Sequence, residues 1–333
     1  MNSATRKTRD TGGTCLLVMP RGFHIVSQTF RETLEDLGYQ VTEANEEYPE
    51  NALGRIMGKA DLPLSRWLTA RTIRRRFLRG RHYDLAMIVK GRGISPALAR
   101  EIGLHARRTV GYQFDALDYD PSLGRWCGEV DRMTTFDYRD AEERGWPVVE
   151  LFSRREPPAE PAPVRYRLSV LMRNHSQRIA FLDQVMAAIG PSEHEDFIYI
   201  FEKSRLSYLI NFLRAPGPHW RWRRQVHFTP LPYSDYIAAL EGSEFTLDYA
   251  HPRQRGATMR SFEALAVGVK LITNNPAPSA NSRFFGPHNS LVVNDLDTSN
   301  LPTRLARTAT GRPAAHWRSP RDCVTEIIGT KQV

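Results

Sequence analysis

The chain has 333 residues, 41% of them hydrophobic and 25% charged, with a formal net charge of +9. This composition excludes a disordered chain, and the length predicts two domains of roughly 100–200 residues each. Cys15, Cys127 and Cys323 are too few and too scattered for a disulfide scaffold or a zinc site, and no apolar run approaches the ~18 residues of a membrane span.

The basic balance fits an anionic partner: a phosphate-rich small molecule, an acidic membrane surface or nucleic acid. Residues 1–13 read as a loose polar tail with no apolar signal segment behind it, so the chain is read as cytoplasmic and soluble. Thr14 to Met19 is a short apolar run between Gly13 and Pro20, the pattern of a buried parallel strand. The loop Pro20 to His24 leads into a helix over 25–37, which Gly38 stops, and a second strand follows over 39–42. That opening suggests a Rossmann-type half. Its first loop, PRGFH, lacks the glycine fingerprint of a dinucleotide site, and no cofactor is expected.

Residues 45–65 carry no clear period. Residues 66–82 form a strongly basic helical stretch with Trp67, Leu68, Ile73, Phe77 and Leu78 at its apolar positions. It reads either as a solvated cationic surface or as a peripheral docking element for an anionic membrane or a phosphate-bearing acceptor. No nucleic-acid-binding signature accompanies it, and no nucleic-acid partner is expected. A strand over 83–90 ends in the loop Lys90, Gly91, Arg92, Gly93, and Ser95 with Pro96 suits the start of the next helix. The strand over 108–113 runs into Asp115, Asp118 and Asp120, which suit a metal ion, a general base or the capping of a turn. Strands over 131–136 and 147–151, with a helix over 138–144 between them, complete a half with six short β segments.

Residues 153–165, SRREPPAEPAPVR, read as a linker. The predicted domains are therefore 1–155 and 165–333. The second half repeats the strand and helix alternation, with strands at 166–172, 197–201 and 226–229 and helices at 177–189, 206–213 and 233–240. Its centre is Asp248 to Asn275: a polar loop, a helix over 258–267, Gly268 and a strand over 269–273. Such a loop, at the carboxyl end of a strand and feeding a helix, is where open α/β folds bind charged ligands. Cations at a helix start are disfavoured unless an anion is bound, so Arg253, Arg255 and Arg260, with His251 and Met259 in the same cluster, mark an anion site. Gly256 permits close approach of a phosphate, Thr258 can cap the helix or bind phosphate oxygens, and Glu263 can accept from a ribose diol. Arg173, Ser176 and Arg178 sit at another strand-to-helix junction of the same half. His24 and Asp115 are the candidates for a general base from the first half.

The stretch DYAHPRQRGATMRSFEALAVGVKLITNN resembles a motif of bacterial capsule and lipopolysaccharide biosynthesis proteins in the GT-B glycosyltransferase superfamily, including relatives of spore-coat maturation glycosyltransferases. YDLAMIVKGRGIS, FDYRDAEERGWPVVELF, LMRNHSQRIAFLD and TPLPYSDYIAALEGSEFTLDY resemble further family segments in the same order, so that the likeness spans most of residues 80–275. It implies two Rossmann-like domains facing across a cleft, and a second domain that holds a nucleotide-diphosphate sugar. The arginine and threonine loop would grip the diphosphate, Arg253, Arg255 and Arg260 would stabilise the charge on the leaving group, and Glu263 would meet the ribose or sugar. No metal site is implied, and the acceptor would be a surface polysaccharide or lipid-linked glycan. The chain departs from the pattern at VVELFS, where relatives carry more proline, and at Met172 to His175, where they carry a glycine. The alternative in a different class is a non-catalytic nucleotide- or glycan-binding partner in polysaccharide assembly.

Overall fold

A computed structural model of the chain describes residues 12–21, 24–174, 177–293, 301–308 and 311–329. Two compact units emerge: one runs to Glu150 and resumes at Pro320, and the other spans Leu151–Ser319.

The first unit contains β1 (Thr14–Val18), α1 (His24–Asp36), β2 (Gln40–Ala44), α2 (Ala52–Lys59), α3 (Pro63–Ile73), β3 (Leu85–Val89), α4 (Pro96–Leu104), β4 (Thr109–Gln113), β5 (Arg132–Thr135) and α5 (Tyr138–Arg144). Its sheet is parallel, in the order β2-β1-β3-β4-β5. All five residues of β3 and of β4 are buried, as expected of strands covered on both faces. Ser95 caps α4 by accepting from the Leu98 N–H, and Asp137 caps α5.

Three expectations for this half are corrected. The helix expected over 66–82 begins earlier, at Pro63, and gives way to a π-helical turn over Arg74–Leu78. The stretch 45–65 contains α2, whose Gly54 and Gly58 weaken its helical signal. The strand expected over 147–151 is reduced to one bridge between Thr135 and Val148.

The second unit contains β6 (Tyr166–Arg173), α6 (Arg178–Ile189), β7 (Glu195–Phe201), α7 (Arg205–Arg214), α8 (Pro216–Arg221), β8 (Val226–His227), α9 (Tyr233–Glu241), β9 (Ser243–Asp248), α10 (Met259–Ala266), β10 (Lys270–Thr273), α11 (Ala277–Asn281), β11 (Ser290–Val292) and α12 (Leu301–Thr308). Its sheet is parallel and ordered β11-β10-β9-β6-β7-β8, the dinucleotide-fold order. The chain moves outward from β6 to one side first and then, from β9, to the other. The switch point therefore lies between β6 and β9. Gly268, between α10 and β10, has φ +68°, and a Cβ there would come within 2.8 Å of the Pro313 carbonyl oxygen, so this position requires glycine.

The last helix, α13 (Pro320–Ile328), packs on α1, β4 and β5 of the first unit. It buries Cys323, Val324, Ile327 and Ile328 there. Arg132 donates from Nε to the Ile327 carbonyl at 3.2 Å and from Nη2 to the Glu326 carbonyl at 3.3 Å, closing the helix's C-terminus. The expected second domain, 165–333, is corrected accordingly: a nine-residue amphipathic helix shows an apolar face but not which core takes it. Among the described residues, no helix is long and apolar enough to cross a membrane.

Candidate functional site

The carboxyl ends of β6 and β9 are neighbours at the switch point of the second unit, and each runs into a helix start. β9 ends in Asp248, a fully buried carboxylate. A buried acid needs donors, and α10 supplies three. The Thr258 hydroxyl donates to it at 2.6 Å, the Ser261 hydroxyl at 3.2 Å and Arg260 Nη1 at 3.1 Å. Thr258 is also the N-cap of α10, accepting from the Ser261 N–H. Asp248 thereby fixes the first turn of α10 against the end of β9.

Arg178 opens α6 from the β6 side. Burial, and then the charge of Arg260, press its guanidinium down to about 10, so that it remains a cation at neutral pH. Among the described residues, neither its Nε nor that of Arg260, both buried, has a hydrogen-bond partner. Two cations thus converge at two helix starts, where the helix dipoles oppose them, with Asp248 as their shared carboxylate. The arrangement retains unspent positive charge and unspent donors, and an anion meets both needs.

Glu263 lies on the next turn of α10 and is buried beside Tyr233 and Tyr236 of α9. Burial pushes its carboxyl up, while Arg260 and the two phenols act against that rise. Burial also holds the Tyr236 phenol well above its usual range, so it remains a neutral hydroxyl. The loop between β9 and α10 is pinned from the two residues after β10. Asn274 Nδ2 donates to the Ala250 carbonyl, and its Oδ1 accepts the Ala250 N–H. Asn275 Nδ2 donates to the carbonyls of Arg255 and Gly256 at 3.2 and 3.1 Å.

The sequence-derived residues separate on this frame. Arg260, Thr258, Glu263 and buried Gly256 belong to one constellation, with Met259 half-buried at the first position of α10. Arg253 is exposed, and its N–H donates to His251 Nδ1. Arg173 is exposed at the end of β6. Ser176 lies outside the described residues, as does the side chain of His24. Sequence reasoning gave no role to Asp248, Tyr233 or Tyr236. An acid closing an apolar strand just before a basic loop was the available signal for Asp248.

Beside this constellation lies a second buried network. Asn174 Nδ2 donates to Glu202 Oε2 at 2.7 Å and contacts His219 Nε2 at 3.1 Å. Glu202 also accepts from Ser207 Oγ at 2.6 Å and Asn211 Nδ2 at 3.0 Å. His219 Nδ1 lies 2.7 Å from the Ala215 carbonyl, so the ring is assigned its proton on Nδ1 and accepts from Asn174 on Nε2.

In the first unit, β3 runs directly into Lys90, a non-glycine residue with φ +67°. Its Nζ pairs with Asp115 at 2.5 Å, and its carbonyl accepts from Gln113 Nε2 and Trp126 Nε1. The three sequence-clustered acids diverge: Asp115 meets Lys90, Asp118 meets Arg139 and Asp120 meets Arg92. Among the described residues, no group of three His, Cys, Asp or Glu side chains could hold a metal ion. Glu46, buried beyond β2, accepts the Arg92 N–H at 2.9 Å. Burial raises its carboxyl to about 7, against the pull of Lys90 and Arg92.

Residues 201–309, about a third of the chain, match the model of a family described as glycosyl transferase-like. No curated protein matches the sequence. Among solved structures, Anabaena Alr3699/HepE in complex with UDP-glucose has a TM-score of 0.56 at 10% identity, over 95% of this chain and 96% of that one. The lipopolysaccharide outer core galactosyltransferase WaaB has a TM-score of 0.52 at 12% identity, over 95% and 94%. Methanocaldococcus jannaschii UDP-GlcNAc 2-epimerase, in complex with UDP-GlcNAc and UDP, has a TM-score of 0.50 at 10% identity, over 95% and 98%. The chain shares the fold of these proteins, the GT-B fold of two parallel-sheet α/β domains.

Proposed function

We propose that the chain is a glycosyltransferase that moves a sugar from a nucleotide-diphosphate donor to a hydroxyl of a surface polysaccharide or lipid-linked glycan. The observation that carries this reading is the convergence of Arg178 and Arg260 at two helix starts, each with an unused buried Nε. As the bond from sugar to phosphate breaks, negative charge grows on the leaving diphosphate. Arg178, Arg260 and the first N–H groups of α10 are aimed to receive it without rearranging. Glu263 accepts from the ribose diol, and Thr258 and Gly256 shape the phosphate contact. Asp115 or His24 takes the proton of the acceptor hydroxyl. With arginines meeting the phosphate charge, donor binding is independent of magnesium. The glycosyl transferase-like match over 201–309 and the UDP-sugar in the Anabaena neighbour support this donor class.

Calorimetry and thermal-shift measurements against UDP, GDP, ADP, CMP and their sugar conjugates, with and without magnesium, test the reading. One nucleotide should bind saturably in either condition, and Arg260→Ala should weaken it roughly 10–100-fold. No response to any nucleotide sinks the donor site as drawn. Because the fold is shared with a UDP-GlcNAc 2-epimerase, turnover is scored as acceptor-dependent glycoside formation. Nucleotide binding without turnover under any acceptor favours the non-catalytic binding partner.

A further inference from the structure

Helix α7 is amphipathic in the inverted sense. Its polar and aromatic face points inward: Ser207 and Asn211 donate to buried Glu202, and the Tyr208 hydroxyl donates to the His219 carbonyl at 3.2 Å. Tyr208 and Phe212 pack together and on the His219 ring. The opposite face presents Leu206, Leu209, Ile210 and Leu213 to solvent, at 67%, 52%, 44% and 71% exposure. Their i, i+3, i+4, i+7 spacing is that of a face meant to be covered. Trp220, on α8, is 61% exposed.

The segment that carries this strip has charge of one sign, with Arg221 paired to Asp183 of α6 at 2.6 Å. Between Glu202 and Asp235 the chain carries Lys203, Arg205, Arg214, Arg221, Arg223 and Arg224 and no acid. Arg205 and Arg214 sit at the two ends of the strip, and the Arg223 guanidinium lies 4.3 Å from the Trp220 ring centroid.

We infer that the α7–α8 hairpin docks on the surface of an anionic lipid bilayer, with the aliphatic strip among the upper acyl chains and the arginines and Trp220 at headgroup level. A second copy of the chain is disfavoured: a two-fold contact sets each patch against itself, arginine rim on arginine rim. Nucleic acid would satisfy the arginines but leave the leucines in water. The buried Glu202 network holds the hairpin rigid, so little ordering is needed on docking.

The test is sedimentation of the full chain with vesicles of phosphatidylcholine alone and of phosphatidylcholine with phosphatidylglycerol. The chain should pellet with the anionic vesicles only, and less as salt rises. Leu206→Ser with Leu213→Ser should weaken this roughly tenfold or more. Arg223→Gln with Arg224→Gln should weaken it to a similar degree. Leu104→Ser, at an exposed leucine of the first unit, should leave it unchanged. An unshifted melting transition shows that each variant is folded. The inference is overturned if the chain ignores anionic vesicles, or if the two leucine changes leave pelleting intact. It is also overturned if those changes dissolve a dimer present without lipid. Nucleotide binding and vesicle binding are separate readouts, so failure of either leaves the other standing.

Discussion

At the scale of single residues, Asp248 organises the second unit's site. It accepts from Thr258, Arg260 and Ser261 and leaves the two arginine Nε groups unspent. The expected contrast is sharp. Arg260→Ala removes a buried charge-assisted contact, whereas exposed Arg253→Ala should change nucleotide affinity less than about threefold, read by the same calorimetry. Glu46 gives a prediction in pH. Its unfolded carboxyl titrates at about 4.3, and its folded one at about 7. Between those values the folded chain keeps a proton that the unfolded chain releases. Stability from this group is therefore full below the lower value and falls as pH rises through the upper one. Glu46→Gln keeps an acceptor for the Arg92 N–H and removes the charge. It should raise stability at pH 8 over pH 5 by roughly 1–3 kcal/mol in denaturant titrations; an equal gain at both pH values would refute the assignment. Thr258, Arg260 and Glu263 were legible because cap, cation and acid fall at helical spacing after Gly256. The position of Asp248 at the end of an apolar strand was legible too, but its burial was not, because a carboxylate's burial depends on what folds over it.

At the scale of elements, the α7–α8 hairpin shows what periodicity carries and what it omits. The pattern predicts a helix over 206–213, and α7 covers Arg205–Arg214. Periodicity groups residues on a face but does not give the direction that face takes. Here Ser207 and Asn211 are drawn inward by Glu202, a carboxylate from the preceding loop that no helical pattern contains. Glu202→Ala would take from buried Asn174 and half-buried Ser207 and Asn211 the carboxylate they share, at roughly 2–4 kcal/mol of local stability. Hydrogen exchange should quicken across α7 and α8 while β6 and β9 stay protected; uniform exchange in wild type and variant would show that the network holds nothing. In the other unit, the basic run at 66–82 reads as one helix, yet the backbone changes to a π-helical turn at Arg74. Residue composition carries no mark of that change in hydrogen-bond register.

At the scale of the molecule, both Rossmann-like sheets follow from apolar runs bounded by glycine and proline. Strand order was implied only by the alternation of strands and helices. The return of α13 to the first unit was invisible, because it rests on a contact between distant parts of the sequence. Cys323, Val324, Ile327 and Ile328 fill that contact. At roughly 1.5–3 kcal/mol for each buried aliphatic side chain, their loss is comparable to the whole stability of a domain. A chain ending at Ser319 should therefore lose the first unit's cooperative melting transition, or fail to accumulate as soluble protein. A calorimetric trace with both transitions intact would contradict this.

The same helix sets a clock on biosynthesis. The sheet from β1 to β5 leaves the ribosome early, but its last piece is encoded after the whole of Leu151–Ser319. At about 5–20 residues per second, that intervening stretch takes roughly 8–35 s to make. Throughout that interval the apolar surfaces of α1, β4 and β5 that α13 will cover face water. Of the two units, the one whose translation begins earlier is thus the one completed later, and its yield in a cell depends on how well that open face is shielded while translation continues.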